Sequence, residues 1–299
     1  MAQAQFILKS GKITTLNKQQ PEVQAIAIAD GKVLRTGSNE DVMKLAQADT
    51  KIIDLNGRRV IPGLNDSHLH LIRGGLNYNM ELRWEGVPSL ADALRMLKEQ
   101  ALRTPSPQWV RVVGGWTEFQ FAERRMPTLD EINDAAPDTP VFILHLYDRA
   151  LLNRAALKVV GYTKDTPNPP GGEIQRDANG NPTGMLIARP NAMILYATLA
   201  KGPKLPLEQQ VNSTRQFMRE LNRLGLTSAI DAGGGFQNYP EDYEVIAELH
   251  EKKQMTIRIA YNLFTQRPGH ELEDFEKWTD MLTPGQGSDF FRHNGAGEM

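Results

Sequence analysis

Between Val60 and His70 the chain reads VIPGLNDSHLH. Two of its six histidines, His68 and His70, stand there at i and i+2, with Asp66 just ahead. On a strand, i and i+2 side chains share one face, so both imidazoles can reach one ion. Imidazole nitrogen suits zinc and its neighbours at about 2.0–2.1 Å. Asp66 is placed either for the same metal environment or to orient an imidazole from behind. Ile61-Pro62-Gly63-Leu64 reads as a strand buried on both sides, as the inner wall of a parallel barrel would be. A bare His-x-His also arises as two unrelated histidines near a strand end.

Other residues invite a chemical reading with less support. Trp116 follows Gly114-Gly115 at a strand's expected C-terminal end, where barrel sites are built; it is a pocket wall or a core residue. Asp231 sits at another strand end before Gly233-Gly234-Gly235, and either lines a site or holds the turn. The glycine run is no phosphate loop, because it lacks both a P-loop lysine and G-x-G-x-x-G spacing. His145, inside VFILHLYD, reads as a core histidine; His250 and His270 read as solvated. Of the other families that use His-x-His, the cupins place a glutamate within a few residues. Here Leu71-Ile72-Arg73-Gly74-Gly75 follows instead.

The elements that must position these groups fall into two textures. Up to about residue 60 the chain alternates short strands and turns. A hairpin is signalled at Asp30-Gly31 between Ala25–Ala29 and Lys32–Arg35, a short helix from about Asn39 to Gln47, then a strand at Lys51–Leu55: a small antiparallel unit. After Val60, strands alternate with amphipathic helices. Ser89 with Asp92 opens one helix to about Arg103, and Thr128 with Glu131 opens another. Strands are expected at Trp109–Gly115, Val141–Leu146, Leu226–Ile230, Thr256–Leu263 and from Phe290. Helices are expected at Arg149–Val160, Leu207–Leu224, Pro240–Lys252 and Glu271–Met281. The stretch Pro167–Gly184 is loop-rich, with a small hairpin at Asn179-Gly180. This alternation predicts a parallel sheet with helical crossovers, open or closed into a barrel. About five core strands are countable, short of eight.

Composition is that of an ordinary globular chain: 299 residues, 40% hydrophobic and 23% charged. A formal net charge of −2 with no basic cluster argues against nucleic acid or an anionic membrane as partner. The absence of cysteine excludes disulfides, thiolate metal sites and a cysteine nucleophile. No secretory pattern opens the chain and no window approaches the roughly 18 apolar residues of a span, so a cytoplasmic protein with a small-molecule substrate is expected.

The opening of the chain resembles the amidohydrolase superfamily. Asp54-Leu55-Asn56-Gly57-Arg58-Arg59-Val60-Ile61-Pro62-Gly63 matches its D-L-x-G-R-x-V-I-P-G, and Asp66-Ser67-His68-Leu69-His70 its D-x-H-x-H. Val112–Trp116, Pro127–Asp130, Pro169–Ile174 and Gly225–Ser228 look like the YtcJ-like branch, amidohydrolase family 3. The resemblance covers nearly the whole chain. It implies an α/β fold, a (β/α)8 TIM-type metal-dependent hydrolase barrel that is incomplete in this chain, with a small N-terminal β-sandwich part. Residues 1–60 would belong to the sandwich and 61–299 to the barrel, with a loop-rich insertion near 161–190. The implied cofactor is a divalent metal, zinc first, as one or two ions. The implied reaction is hydrolysis of a non-peptide C–N bond in an amide, cyclic amide or formamide.

By this resemblance His68 and His70 occupy the first-strand ligand positions. Later ligands in the family are a carboxylated lysine or glutamate, two histidines, and an aspartate that also shuttles the proton. The aspartate is expected beyond residue 299. Glu298 falls about where the middle carboxylate would lie, as a ligand or as a plain residue near the terminus; His293 is a weaker candidate. Relatives often carry a histidine facing the substrate where Arg149 stands. An arginine there would favour an anionic or carbonyl-rich ligand through its planar fork, or would simply pair with a neighbouring acid. The alternative expectation is a catalytically silent half-barrel, whose open strand edges would favour a homo-oligomer.

Overall fold

The computed structural model describes residues 3–234, 237–265, 267 and 269–297. The chain divides into two compact units, Met1–Leu64 and Asn65–Met299.

The first unit holds two small sheets. One runs in the order Lys32–Gly37, Ala25–Ala29, Phe6–Lys9, Lys51–Asp54. The other runs Glu22–Val23, Lys12–Thr14, Arg59–Val60. The Asp30-Gly31 hairpin forms as expected, both residues taking positive φ as a two-residue turn requires. The unit is not wholly antiparallel. Phe6–Lys9 pairs parallel with Lys51–Asp54, and Lys12–Thr14 parallel with Arg59–Val60, because the strands that close each sheet arrive after a crossover rather than a hairpin.

In the second unit the strands expected to share one sheet are divided between two. A four-stranded sheet has the order Phe291–Ala296, Arg258–Leu263, Leu226–Asp231, Leu64–Leu69. Its pairings Leu226–Asp231 with Arg258–Leu263, and that strand with Phe291–Ala296, are parallel. A separate six-stranded sheet runs Gly172–Arg176, Pro182–Ala188, Arg149–Leu152, Val141–His145, Val110–Val112, Glu81–Leu82. It is parallel only among the last three and antiparallel elsewhere. The loop-rich stretch near 161–190 is therefore not an isolated insertion: its hairpin supplies two strands of this sheet. Separate apolar cores, one around Trp84, Trp116 and Phe121 and one around Phe142, Leu152 and Ile194, hold it together.

Two further expectations are corrected. Arg149–Val160 is not one helix; Arg149–Leu152 is a strand antiparallel to Val141–His145, and the helix is Arg154–Val160. Asn153 separates them. Fully buried, it accepts the N–H groups of Val141 and Ala156 at 2.9 Å each and donates to the carbonyls of Ala136 and Thr139 at 2.7 and 2.8 Å. All four hydrogen-bonding positions of the amide are thereby used, and a helix cap is made in passing. The stretch Ile61–Leu64 is not buried on both sides: Ile61 is 55% and Leu64 46% exposed. The strand Leu64–Leu69 forms the edge of its sheet, so one flank has no covering ladder among the described residues. Among those residues, no helix is long and apolar enough to cross a membrane.

What positions the histidine strand is the helix directly after it, Leu71–Asn77, packed against the long helix Leu207–Arg223. Leu71, Ile72 and Leu76 share a core with Val211, Met218 and Leu221. Gly74 and Gly75 make the approach close enough. A Cβ at Gly75 would lie 2.9 Å from Thr214 Oγ1, and one at Gly74 2.9 Å from the Phe217 ring. Ser213 Oγ donates to the Gly75 carbonyl at 2.6 Å and accepts from Asn79 N–H at 3.1 Å. Replacing Gly75 by valine overpacks this contact, and is expected to lower stability by about 2 kcal/mol, read as a lower urea midpoint with unchanged slope.

Candidate functional site

The site grows from the C-terminal end of the histidine strand. His68 lies within the strand Leu64–Leu69, and His70 is the residue from which the helix Leu71–Asn77 starts. Their rings meet edge to face, with centroids 5.5 Å apart. The Asp66 side chain accepts the N–H of His68 at 2.9 Å, so it holds the backbone of the strand at that point.

A second segment, Asp231-Ala232-Gly233, fastens this corner. Ala232 N–H donates to the Leu69 carbonyl at 2.9 Å. The Gly233 carbonyl is hydrogen-bonded to His70 Nδ1. A carbonyl only accepts, so Nδ1 carries the hydrogen in this contact. Gly233 has φ +81°, and an added Cβ would stand 3.0 Å from Phe264 Cβ and 3.1 Å from the Asn262 carbonyl. Both its conformation and its space therefore demand glycine.

Asp231 is fully buried. Its Oδ2 accepts the N–H of Ile72 at 2.7 Å and its Oδ1 that of Gly233 at 3.0 Å. Burial raises its pKa to about 6, against the pull of the Ile72, Gly233 and Leu71 amides and of Arg73. The carboxylate thus ties two chain segments together and caps the first turn of the helix. It holds the turn rather than lining an open site.

Three comparisons bear on this corner. The family model described as "Amidohydrolase family" matches residues 51–299. The chain belongs to the amidohydrolase family. Within that family it is YtcJ-like. It is 35% identical over 193 residues to the putative amidohydrolase YtcJ of Bacillus subtilis (strain 168), covering 64% of this chain and 36% of that one. It is 28% identical over 229 residues to the N-substituted formamide deformylase of Arthrobacter pascens, covering 76% and 42%. The chain thus spans less than half the length of either curated relative. An uncharacterized metal-dependent hydrolase from Pyrococcus horikoshii OT3 shares its fold with TM-score 0.65 at 21% identity, over 97% of this chain and 53% of that one.

Trp116 and Arg149 of this amidohydrolase chain do not converge on the histidines. Trp116 is fully buried, edge to face with Trp84 and His145 and tilted against Phe121, and its indole N–H donates to the Leu144 carbonyl at 2.9 Å. It is a core residue, because the backbone turn at Gly114 sends the ring into the cluster beneath the six-stranded sheet. Arg149 belongs to the same sheet. Its Nη2 lies 3.4 Å from Glu118 Oε1, and its Nε 3.2 Å from Asp148 Oδ2. The pairing with neighbouring acids is the reading that the geometry shows. Between those acids sits His145, 2.6 Å from Glu118 Oε2 and 2.9 Å from Asp148 Oδ1. Burial pushes Glu118 and Asp148 upward, yet their hydrogen bonds and the adjacent cations hold both below the usual carboxylate range.

His293 is buried on the strand Phe291–Ala296, with its ring nitrogens 3.3 and 3.1 Å from the carbonyls of Thr283 and Gly295. Glu298 lies outside the described residues. Among the described residues, no group of three His, Cys, Asp or Glu is arranged to hold a metal. Sequence reasoning passed over Gln237 and Arg73 beside the histidine corner. Nothing in a single glutamine or a helical arginine announces its burial or its neighbours.

Asp231 makes the corner pH-sensitive. Its folded pKa lies above the ordinary 3.8, so its contribution is greatest below pH ~3.8 and is lost as pH rises through ~6. In the presence of a chelator, wild type should lose stability relative to Asp231→Asn across that window. The expected loss is on the order of 3 kcal/mol, read from urea unfolding at a series of pH values.

Proposed function

We propose that this chain supplies the N-terminal part of a metal-dependent hydrolase that opens non-peptide C–N bonds of an amide, cyclic amide or formamide. The observation that carries the reading is the His68–His70 pair at a strand end, with the His70 tautomer set by the Gly233 carbonyl. That arrangement fits a divalent ion of the zinc type. It offers two imidazole donors on adjoining rings, and the nitrogen of His70 opposite the Gly233 contact carries the lone pair. Glu298 is the proposed third ligand. When bound, such an ion supplies Lewis acidity that activates water and polarises a carbonyl.

What the chain's own residues do is hold that donor set still. Asp66 fixes the backbone at His68, Gly233 fixes the His70 ring, and Asp231 fixes the start of the helix behind it. Ligands restrained in this way lose little freedom on binding. The likeness to the formamide deformylase supports an N-substituted formamide as one substrate type.

A specific observation favours a second reading for these 299 residues taken alone. A chain that spans 36% and 42% of these two curated relatives supports a catalytically silent half. Metal content separates the two. Elemental analysis of the purified chain is expected to find at least one divalent ion per molecule, and none in the His68→Ala/His70→Ala double variant. Metal absent from both proteins would leave the silent half as the better account.

A further inference from the structure

A cavity of about 460 Å³ opens on the six-stranded sheet, within the volume range of small-molecule sites. Trp109 and Pro140 line it, and they directly precede the parallel strands Val110–Val112 and Val141–His145. It therefore lies at the N-terminal ends of these strands, whereas the histidines stand at the C-terminal end of theirs. Its wall carries both signs of charge. Lys201 Nζ donates to the Val160 carbonyl at 3.1 Å and sits 4.6 Å from the Tyr162 ring centroid, with two N–H groups still to give. The exposed Asp138 carboxylate lines the same cavity and makes no hydrogen bond or ion pair among the described residues. No ion pair joins it to Lys201, so the two charges face one space without meeting. Trp109 is 2% exposed, and its indole N–H makes no hydrogen bond among the described residues, although that nitrogen is not sealed from solvent. Pro140 and Val159 add apolar wall.

We propose that this cavity binds a small zwitterion of the α-amino-acid type, its carboxylate on Lys201 and the Trp109 N–H and its ammonium on Asp138. The hydrolase reading plays no part in it. The chemistry matches group by group. An ammonium and an indole N–H are donors without acceptor capacity, and together they suit a carboxylate. An ionised aspartate only accepts, and suits an ammonium. The aliphatic side chain of the ligand then lies on Val159 and Pro140. Selectivity comes from repulsion as much as attraction. A plain carboxylic acid brings its charge to Asp138 with nothing to offset it, and a plain amine does the same at Lys201. Only a ligand with both charges close together answers both walls at once.

The test is equilibrium binding to the full chain, measured by titration calorimetry at neutral pH and low salt. Three probes of similar shape are compared: leucine, 4-methylpentanoate, which lacks the ammonium, and 3-methylbutylamine, which lacks the carboxylate. Leucine should bind at least about ten-fold more tightly than either. Asp138→Asn should bring leucine and 4-methylpentanoate to within about two-fold of each other, with an unchanged melting temperature, because Asp138 has no partner to lose. Trp109→Phe keeps the ring and removes the N–H, and should weaken leucine about five-fold. The leucine affinity should be the same with and without EDTA, since an amino acid held by a metal on the histidines would be released by the chelator. No binding of leucine, equal affinities for the three probes, a preference that survives in Asp138→Asn, or binding abolished by EDTA would each overturn the proposal. Neither metal content nor turnover is read, so the hydrolase reading stands or falls separately.

Discussion

Everything near the histidines depends on three consecutive residues from a distant part of the chain. Ala232 extends the backbone ladder to Leu69, Gly233 takes the His70 ring, and Asp231 caps the helix that begins one residue later. Each contact alone is worth about 1–3 kcal/mol. Their value lies in acting on adjacent residues, since a corner fixed at three successive points cannot pivot about any one of them. The glycines on both sides follow from this. Gly233 must turn its carbonyl inward at positive φ, and Gly74-Gly75 must let the helix Leu207–Arg223 press on the back of the corner.

The buried polar groups of the molecule fall into two kinds. Asn153 uses every hydrogen-bonding position it has, and His145 has an acid at each ring nitrogen. These are closed networks that stiffen the six-stranded sheet. Gln237 is the opposite case, an amide enclosed without a hydrogen-bond partner among the described residues. Arg149, whose fork suggested ligand binding, lies between the two: it faces Glu118 and Asp148, yet its buried Nε makes no hydrogen bond.

What could be read in the sequence was whatever local chemistry determines. The helices opened by Ser89 and Thr128, the Asp30-Gly31 hairpin and the pairing of His68 with His70 on one strand end all rest on neighbours within a few residues. Arg149–Leu152 failed that test. Its alanine and leucines suit a helix, but a turn with Leu146 at φ +49° folds them back onto Val141–His145, and no residue type there advertises the turn. Trp116 was ambiguous because a strand's end does not say on which side a ring will lie. Asp231 was recognised as a turn residue or a site residue, but its partner Ile72 is 159 positions away, beyond any local pattern. The division of the strands between two sheets was hidden for the same reason: both sheets use the same alternation of strand and helix.

The span between the two halves of the histidine corner bears on how the chain acquires it during synthesis. His70 and Gly233 are separated by 163 positions, and the whole six-stranded sheet is spelled out between them. Ordering that interval first shortens the effective loop that must close, and so lowers the entropic barrier to bringing the corner together. On the ribosome the two imidazoles would emerge early and stay unanchored until Asp231–Gly233 follows. A nascent chain therefore carries an exposed, unpaired strand edge for as long as it takes to translate the intervening sheet, and vectorial folding of that sheet sets the timing of the site.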